Sequence, residues 1–279
     1  MFESVPVSEV QNYWNARPCN IRHSTKEPGS QEYFNEVEAR KYRVEPHIPA
    51  FAEFEKWRGK KVLEIGCGIG TDTTNFARAG AQVTAVDLSD KSIEMAKKRL
   101  EVFGLSDRVR FVQANSEQLS DSLPPEPFDL IYSFGVIHHT PHPERVLEQL
   151  KLYTKPDTTV KLMVYNRWSW KVLWILVRYG KGQIWKLDEL VADNSEAQNG
   201  CPVTYVYSRR QGRELLRAGG LQTIEARAEH IFPYRIPDYV KYRYVKVWYF
   251  RWMPGPLFRA LERMAGWHLL LTGVPERGA

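Results

Sequence analysis

One short segment decides most of what this chain can become: Val62-Leu63-Glu64-Ile65-Gly66-Cys67-Gly68-Ile69-Gly70, followed by a second apolar run that ends on Asp87. Lys61 to Ile65 is short, apolar and β-branched, and glycine stops it, which is the pattern of a buried strand. Glycines at alternate positions let the backbone turn tightly and approach a ligand with no Cβ in the way. Thr71 to Ala79 reads as a helix, so amide donors gather at its N-terminus. Gln82 to Val86 reads as the next strand, with Asp87 at its carboxyl end, where a carboxylate can accept both hydroxyls of a ribose. These residues predict a nucleoside site at the top of a parallel sheet.

The dinucleotide fingerprint G-x-G-x-x-G does not fit, because its third glycine falls on Thr71. The pattern present is E-x-G-x-G-x-G, with Glu64 in the strand ahead of the glycines. It resembles motif I of the class I S-adenosylmethionine-dependent methyltransferases. The resemblance continues through AVDLSDKSIEMAKKRL at 85–100, VRFVQANSEQL at 109–119 and FDLIYSFGVIHHTPHPERVLEQL at 128–150. It is tight over about 60–165. It implies an α/β, Rossmann-like, seven-stranded, mostly parallel sheet of order 3-2-1-4-5-7-6. It also implies S-adenosylmethionine as methyl donor and S-adenosylhomocysteine as product.

Domain limits follow from the pattern along the chain. Residues 1–58 are polar with aromatic anchors and read as a helical cap over the cofactor mouth. Residues 59–165 are the cofactor-binding core, 166–207 an insertion, and 208–279 the rest of the core with a second insertion at about 231–265. Ser89 is placed to cap a helix reaching Phe103, and Gly104 to end it. Arg108–Gln113, Phe128–Ser133 and Thr158–Tyr165 read as further strands, with a helix over Glu144–Tyr153. Asp193–Gly200 reads as a polar loop. Ser208 with Gln211 forms a capping-box pattern. Leu221–Ala228 and Gly266–Gly273 read as a closing pair of strands around a helix at Pro256–Ala265.

The resemblance assigns roles to the residues that match. Gly66, Gly68 and Gly70, with Cys67 inside the turn, line the methionine and ribose part of the cofactor. Glu64 orients the turn and reaches the ammonium through water. Asp87 takes the ribose hydroxyls, and Leu88 lies on the adenine face. Ala114-Asn115 stands where the family often has an acid on the adenine amino group, and the Asn115 carbonyl can accept the same bond. Phe134 and Gly135 flank the sulfonium. Arg40 and Arg43 offer cations for the cofactor carboxylate, the other reading being a solvated helix face. His138 and His139, ending the loop after the fourth strand, are candidates for the base that deprotonates an acceptor, or else turn and capping residues. Tyr165 and Asn166 face the same side. Asp87→Ala is expected to cripple cofactor binding with little loss of fold. No metal site is evident, since the His138-His139-His142 group lacks a carboxylate or thiolate partner.

Composition narrows the acceptor. The net charge is +6 and 43% of residues are hydrophobic. There is no apolar stretch of transmembrane length and no signal-peptide pattern at the N-terminus, and the three cysteines form no C-x-x-C pair. A cytoplasmic protein is the expectation. The base-methylating elements N/D-P-P-Y/F and Pro-Cys are missing after the fourth strand, where Ser133-Phe134-Gly135-Val136 stands, so a nucleic-acid substrate is disfavoured. Two basic, aromatic stretches remain: Arg167–Trp185 and Tyr239–Trp252, the latter YVKYRYVKVWYFRW. They read as a peripheral surface for the inner face of a membrane, as a pocket roof or homodimer interface, or as an RNA-stacking face. The expected activity is methylation of a small or lipophilic molecule, as in quinone biosynthesis. Its rivals are an RNA-directed methyltransferase and a silent cofactor-binding scaffold.

Overall fold

The computed structural model describes residues 2–195 and 200–276. Its strands are β1 (Lys61–Ile65), β2 (Gln82–Asp87), β3 (Val109–Gln113), β4 (Leu130–Phe134), β5 (Thr159–Asn166), β6 (Val206–Tyr207), β7 (Leu221–Glu229) and β8 (His268–Pro275). They form one sheet of order β3-β2-β1-β4-β5-β8-β7, with β6 paired to the end of β5. Strands β1 to β5 run parallel, while β8 is antiparallel to both β5 and β7. The last strand in the chain thus enters between its neighbours, the order expected, with the two-residue β6 as an addition too short to show a period.

Both faces of the sheet are covered, so its central strands are apolar on both sides. Val62, Leu130 and Tyr132 face a core with Phe51 and Phe76; Leu63, Ile131 and Leu162 face another with Leu147 and Leu216. Local chemistry sets the helix ends. The Ser89 hydroxyl accepts the Ser92 amide at 3.0 Å ahead of the helix Asp90–Val102. The Ser208–Gln211 capping box starts Arg209–Ala218. Of three N-terminal helices, Val7–Ala16 packs on the helix Asp90–Val102, Gln31–Val44 on that helix and on Thr71–Arg78, and Ile48–Ala52 puts Phe51 into a core on one sheet face. The second is tied down by Arg99, whose fully buried guanidinium pairs with Glu38 at 2.7 Å and bonds Thr71 at 3.1 Å.

Besides β6, the insertions differ from expectation in one place. The polar segment predicted as a loop from Asp193 overlaps a helix, Leu187–Asn194; residues 196–199 of that loop lie outside the described residues. Its apolar positions Leu187 and Val191, four apart, are buried against the core, and that packing overrides the polar composition.

Candidate active site

The glycine turn is held by backbone bonds rather than by side chains. The amides of Gly66 and Cys67 both donate to the Val86 carbonyl, at 2.7 and 3.0 Å. Gly66 has φ +78°, and a Cβ there would lie 2.1 Å from Val136 Cγ2, so the loop after β4 occupies the room a side chain would need. Gly68 also has positive φ, but a Cβ there would meet nothing within 4 Å. It borders open space. Asp87 closes the turn from the next strand, accepting the amides of Gly68 at 2.8 Å and Ser89 at 2.9 Å. Burial pushes its carboxyl upward, against those two bonds that favour the charged form.

A cavity of about 1010 Å³, its open mouth included, lies over this turn. Among the expected cofactor residues, Gly66, Cys67, Gly68, Asp87 and Leu88 line it from one side. Ala114, Asn115, Phe134 and Gly135 line it from the other. The Asn115 side-chain carbonyl is already engaged by the Glu117 amide at 3.0 Å, which leaves it one lone pair for a ligand.

Four of the expected cofactor residues do not line the cavity. Glu64 is buried behind the turn, where it accepts the Thr73 hydroxyl at 2.6 Å; burial raises its carboxyl to about 8. Gly70 packs against the next helix, with room at Ala96 for little more than a hydrogen. Arg40 donates to the Tyr239 carbonyl and lies between the rings of Tyr239 and Tyr242, at 4.1 and 4.2 Å. Arg43 lies on Tyr244 at 4.0 Å. The cation at the cavity is instead Lys41, on the intervening face of the same helix. It pairs at 2.7 Å with buried Asp72, which also accepts the hydroxyls of Tyr42 and Tyr132, each at 2.9 Å. Burial works against the Lys41 charge, but Asp72 and Glu45 outweigh it and hold the ammonium above its usual range. Helix phase alone separates Lys41 from Arg40, and apolar periodicity around EARKYR is too sparse to show it.

The two histidines part company. His139 lines the cavity. Its Nδ1 stands 2.8 Å from the Val203 carbonyl, so Nδ1 carries the proton and donates it there. Nε2 is then the lone-pair nitrogen, and it has no hydrogen-bond partner among the described residues. Burial depresses this imidazole to about 4, partly offset by the bond to Val203, so it is a neutral acceptor at ordinary pH. Trp14, from the first helix, lines the same space and stands edge-on to His139 at 5.4 Å. His138 and Tyr165, also expected at the chemistry, sit behind it. His138 is wholly buried between His139 and Tyr165, with ring centroids at 4.2 and 4.0 Å, and Tyr165 stacks in turn on Trp267 at 4.1 Å. Asn166 donates to the Gly266 carbonyl at 2.8 Å and fastens β5 to the entry of β8.

Among the described residues, none of either aromatic stretch lines this cavity. Trp170, at the start of the helix Trp170–Tyr179, meets Tyr249 and Phe250 at 6.2 and 6.3 Å, which joins the two stretches. Trp168 and Trp252, 71% and 77% exposed, flank that junction, with Trp185 and Trp248 also exposed. Among the described residues no helix is long and apolar enough to cross a membrane.

Known proteins place this arrangement. A family model described as a methyltransferase domain matches residues 37–226. A ubiquinone biosynthesis O-methyltransferase of Actinobacillus pleuropneumoniae is 36% identical over 112 residues, 39% of this chain and 47% of that protein. The matched part is thus about half the length of the curated relatives. The magnesium protoporphyrin IX methyltransferase of Synechocystis PCC 6803, solved with bound S-adenosylhomocysteine, superposes with a TM-score of 0.61 at 16% identity over 97% of this chain and all of that one. The geranyl diphosphate C-methyltransferase of Streptomyces coelicolor A3(2) gives 0.59 at 14% over 99% and 98%. With that family match over the turn, the cavity and most of the sheet, the chain belongs to the methyltransferase-domain family and carries its class I, Rossmann-like fold.

Proposed function

We propose that the cavity binds S-adenosylmethionine and that the chain moves its methyl group to a nucleophilic atom of a small, lipophilic acceptor. The observation that carries this is the meeting, in one cavity, of a side-chain-free turn, an acid at the end of β2 and a histidine with a free lone pair. The space at Gly68 admits a ligand to van der Waals contact with the backbone. Asp87 holds the turn and offers its remaining lone pairs to a ribose. Lys41 supplies the cation for the cofactor carboxylate, and Phe134 and Gly135 border the sulfonium.

When bound, the donor supplies an electrophilic methyl group. The protein's own part is to hold the acceptor in line and to remove its proton. His139 does the second through Nε2, while Val203 fixes the tautomer. In this reading residues up to 58 are a cap over the cofactor, and the exposed tryptophans with their Lys and Arg neighbours rest on an anionic membrane surface. An acceptor dissolved in that membrane then meets the enzyme at its insertion face.

The test is calorimetric titration with the donor and its demethylated product, followed by transfer assays over phenols, quinols, amines and thiols. Micromolar binding and transfer to one acceptor class are expected. No affinity for either form of the cofactor overturns the proposal, and binding without transfer to any class leaves the scaffold reading in its place.

A further inference from the structure

Behind Phe134, at the same edge of the sheet, four residues far apart in sequence come together. Glu45 follows the helix Gln31–Val44, His47 begins the next one, His230 follows β7 and His268 opens β8. We propose that Glu45, His230 and His268 bind a divalent transition-metal ion of the zinc class, with His47 holding His268 from behind.

One pair stands at a ligand-to-ligand separation and the third atom lies near it. One ligand atom from each of the three lies within 4.8 Å of the others. Glu45 Oε1 stands 3.5 Å from His268 Nε2. That is long for a hydrogen bond, yet it is the separation of two ligands each about 2.0–2.2 Å from one tetrahedral zinc. The opposite nitrogen of His268, Nδ1, is 2.9 Å from His47 Nε2. Metal-bound imidazoles take such a partner on the far nitrogen, which fixes ring and tautomer. His47 also stacks on His230 at 5.3 Å and 28°, so one ring orients both imidazole ligands.

His230 adds an independent sign. Its φ is +71°, a conformation that costs a non-glycine residue about 1–3 kcal/mol and persists where the surroundings impose it. Here the Trp267 amide bonds its carbonyl at 2.7 Å and holds the ring against His268 at 4.8 Å. The neighbouring cations have partners of their own, although Lys41 is also drawn to Glu45. Lys41 is on Asp72, Lys171 on the Ser195 carbonyl, and Arg227 on Glu225 and Glu229. Two imidazoles and one carboxylate leave a position open on the ion, suited to an oxygen donor. Phe134, 5.5 Å from His268, also lines the cofactor cavity. On the methyl-transfer reading, on which this last step rests, an acceptor hydroxyl on that position would be more acidic and would give its proton to His139 Nε2, the base of that reading.

The probe is the metal alone, without cofactor. The full chain, carrying no polyhistidine tag, is stripped with chelator and titrated with Co2+, read by visible absorption, and with Zn2+ in competition. One equivalent bound, with the strong visible bands of a low-coordinate cobalt site, is expected. Glu45→Gln and His230→Asn, the latter chosen because asparagine tolerates positive φ, should each weaken binding at least 100-fold, and His47→Phe about tenfold. Donor affinity should stay within twofold in His230→Asn and His47→Phe, which separates failure of this site from failure of the cofactor reading. No cobalt uptake by the wild-type chain overturns the proposal, as does uptake unchanged in both ligand variants.

Discussion

The two sides of the cavity are built on different principles. On the glycine side the contacts come from backbone amides and carbonyls, and the residues that arrange them lie within one strand-helix-strand unit. On the histidine side the side chains of the first helix and of the loop after β4 meet, held by a backbone carbonyl of the insertion and joined only by the fold. Side chains are needed to hold an acceptor and move its proton; a bare backbone suffices to cradle a nucleoside. On the proposed function, the difference puts turnover on one side and affinity on the other, and mutation can separate the two.

The largest effect belongs to His139. His139→Ala should lower kcat about 100- to 10,000-fold and leave donor affinity within twofold. Its neighbour supplies the control: His138→Phe, at a site where neither ring nitrogen has a hydrogen-bond partner among the described residues, should keep kcat within a few fold and leave the melting temperature unchanged or higher. Equal losses at both positions would erase the distinction between them. The pH profile sharpens it. Since His139 is depressed to about 4, the base is already neutral above that pH, and the acidic limb of kcat should lie near 4, well below an ordinary histidine. A limb near 6.5 would point to another base.

On the other side, Asp87→Ala should weaken donor binding by about 100-fold, on the order of 3 kcal/mol for lost bonds to a charged acceptor. It should also lower the melting temperature, because the amides of Gly68 and Ser89 lose their partner. Sequence alone leads to an expectation of little loss of fold; these bonds predict a measurable one. Lys41→Met should weaken the donor roughly tenfold or more, while Arg40→Met and Arg43→Met leave it unchanged; calorimetry on the three separates cavity from clamp. The smallest effect on chemistry is expected for Trp168, Trp185 and Trp252 changed together to serine. Transfer to a water-soluble acceptor should persist and co-sedimentation with anionic liposomes should be lost. Retained co-sedimentation would remove the membrane from the proposal.

The same contrast explains what could be read in the chain. Gly66, Gly68 and Asp87 are legible because a strand, a turn and an acid leave a local pattern, and the sheet order follows from the resemblance they carry. Lys41 is not, because one step of helix phase decides which of three neighbouring cations faces inward. The roles of His138 and His139 cannot be told apart in a dipeptide; Val203, from an insertion with no periodic signal, distinguishes them. The second aromatic stretch looks uniform in sequence, yet Tyr239, Tyr242 and Tyr244 clamp Arg40 and Arg43 while Trp248 and Trp252 face outward. Glu45, His47, His230 and His268 share no motif at all, and only the antiparallel entry of β8 gathers them.

Val136 standing where a Cβ of residue 66 would be has a consequence for how such a chain can change over time. The two loops own a single volume between them, and the order of any replacements is constrained. A methyl group at 66 demands that the valine first give way to something smaller, whereas trimming the valine alone opens a gap beneath the cradle. The pair can drift only together, through intermediates that bind their donor poorly.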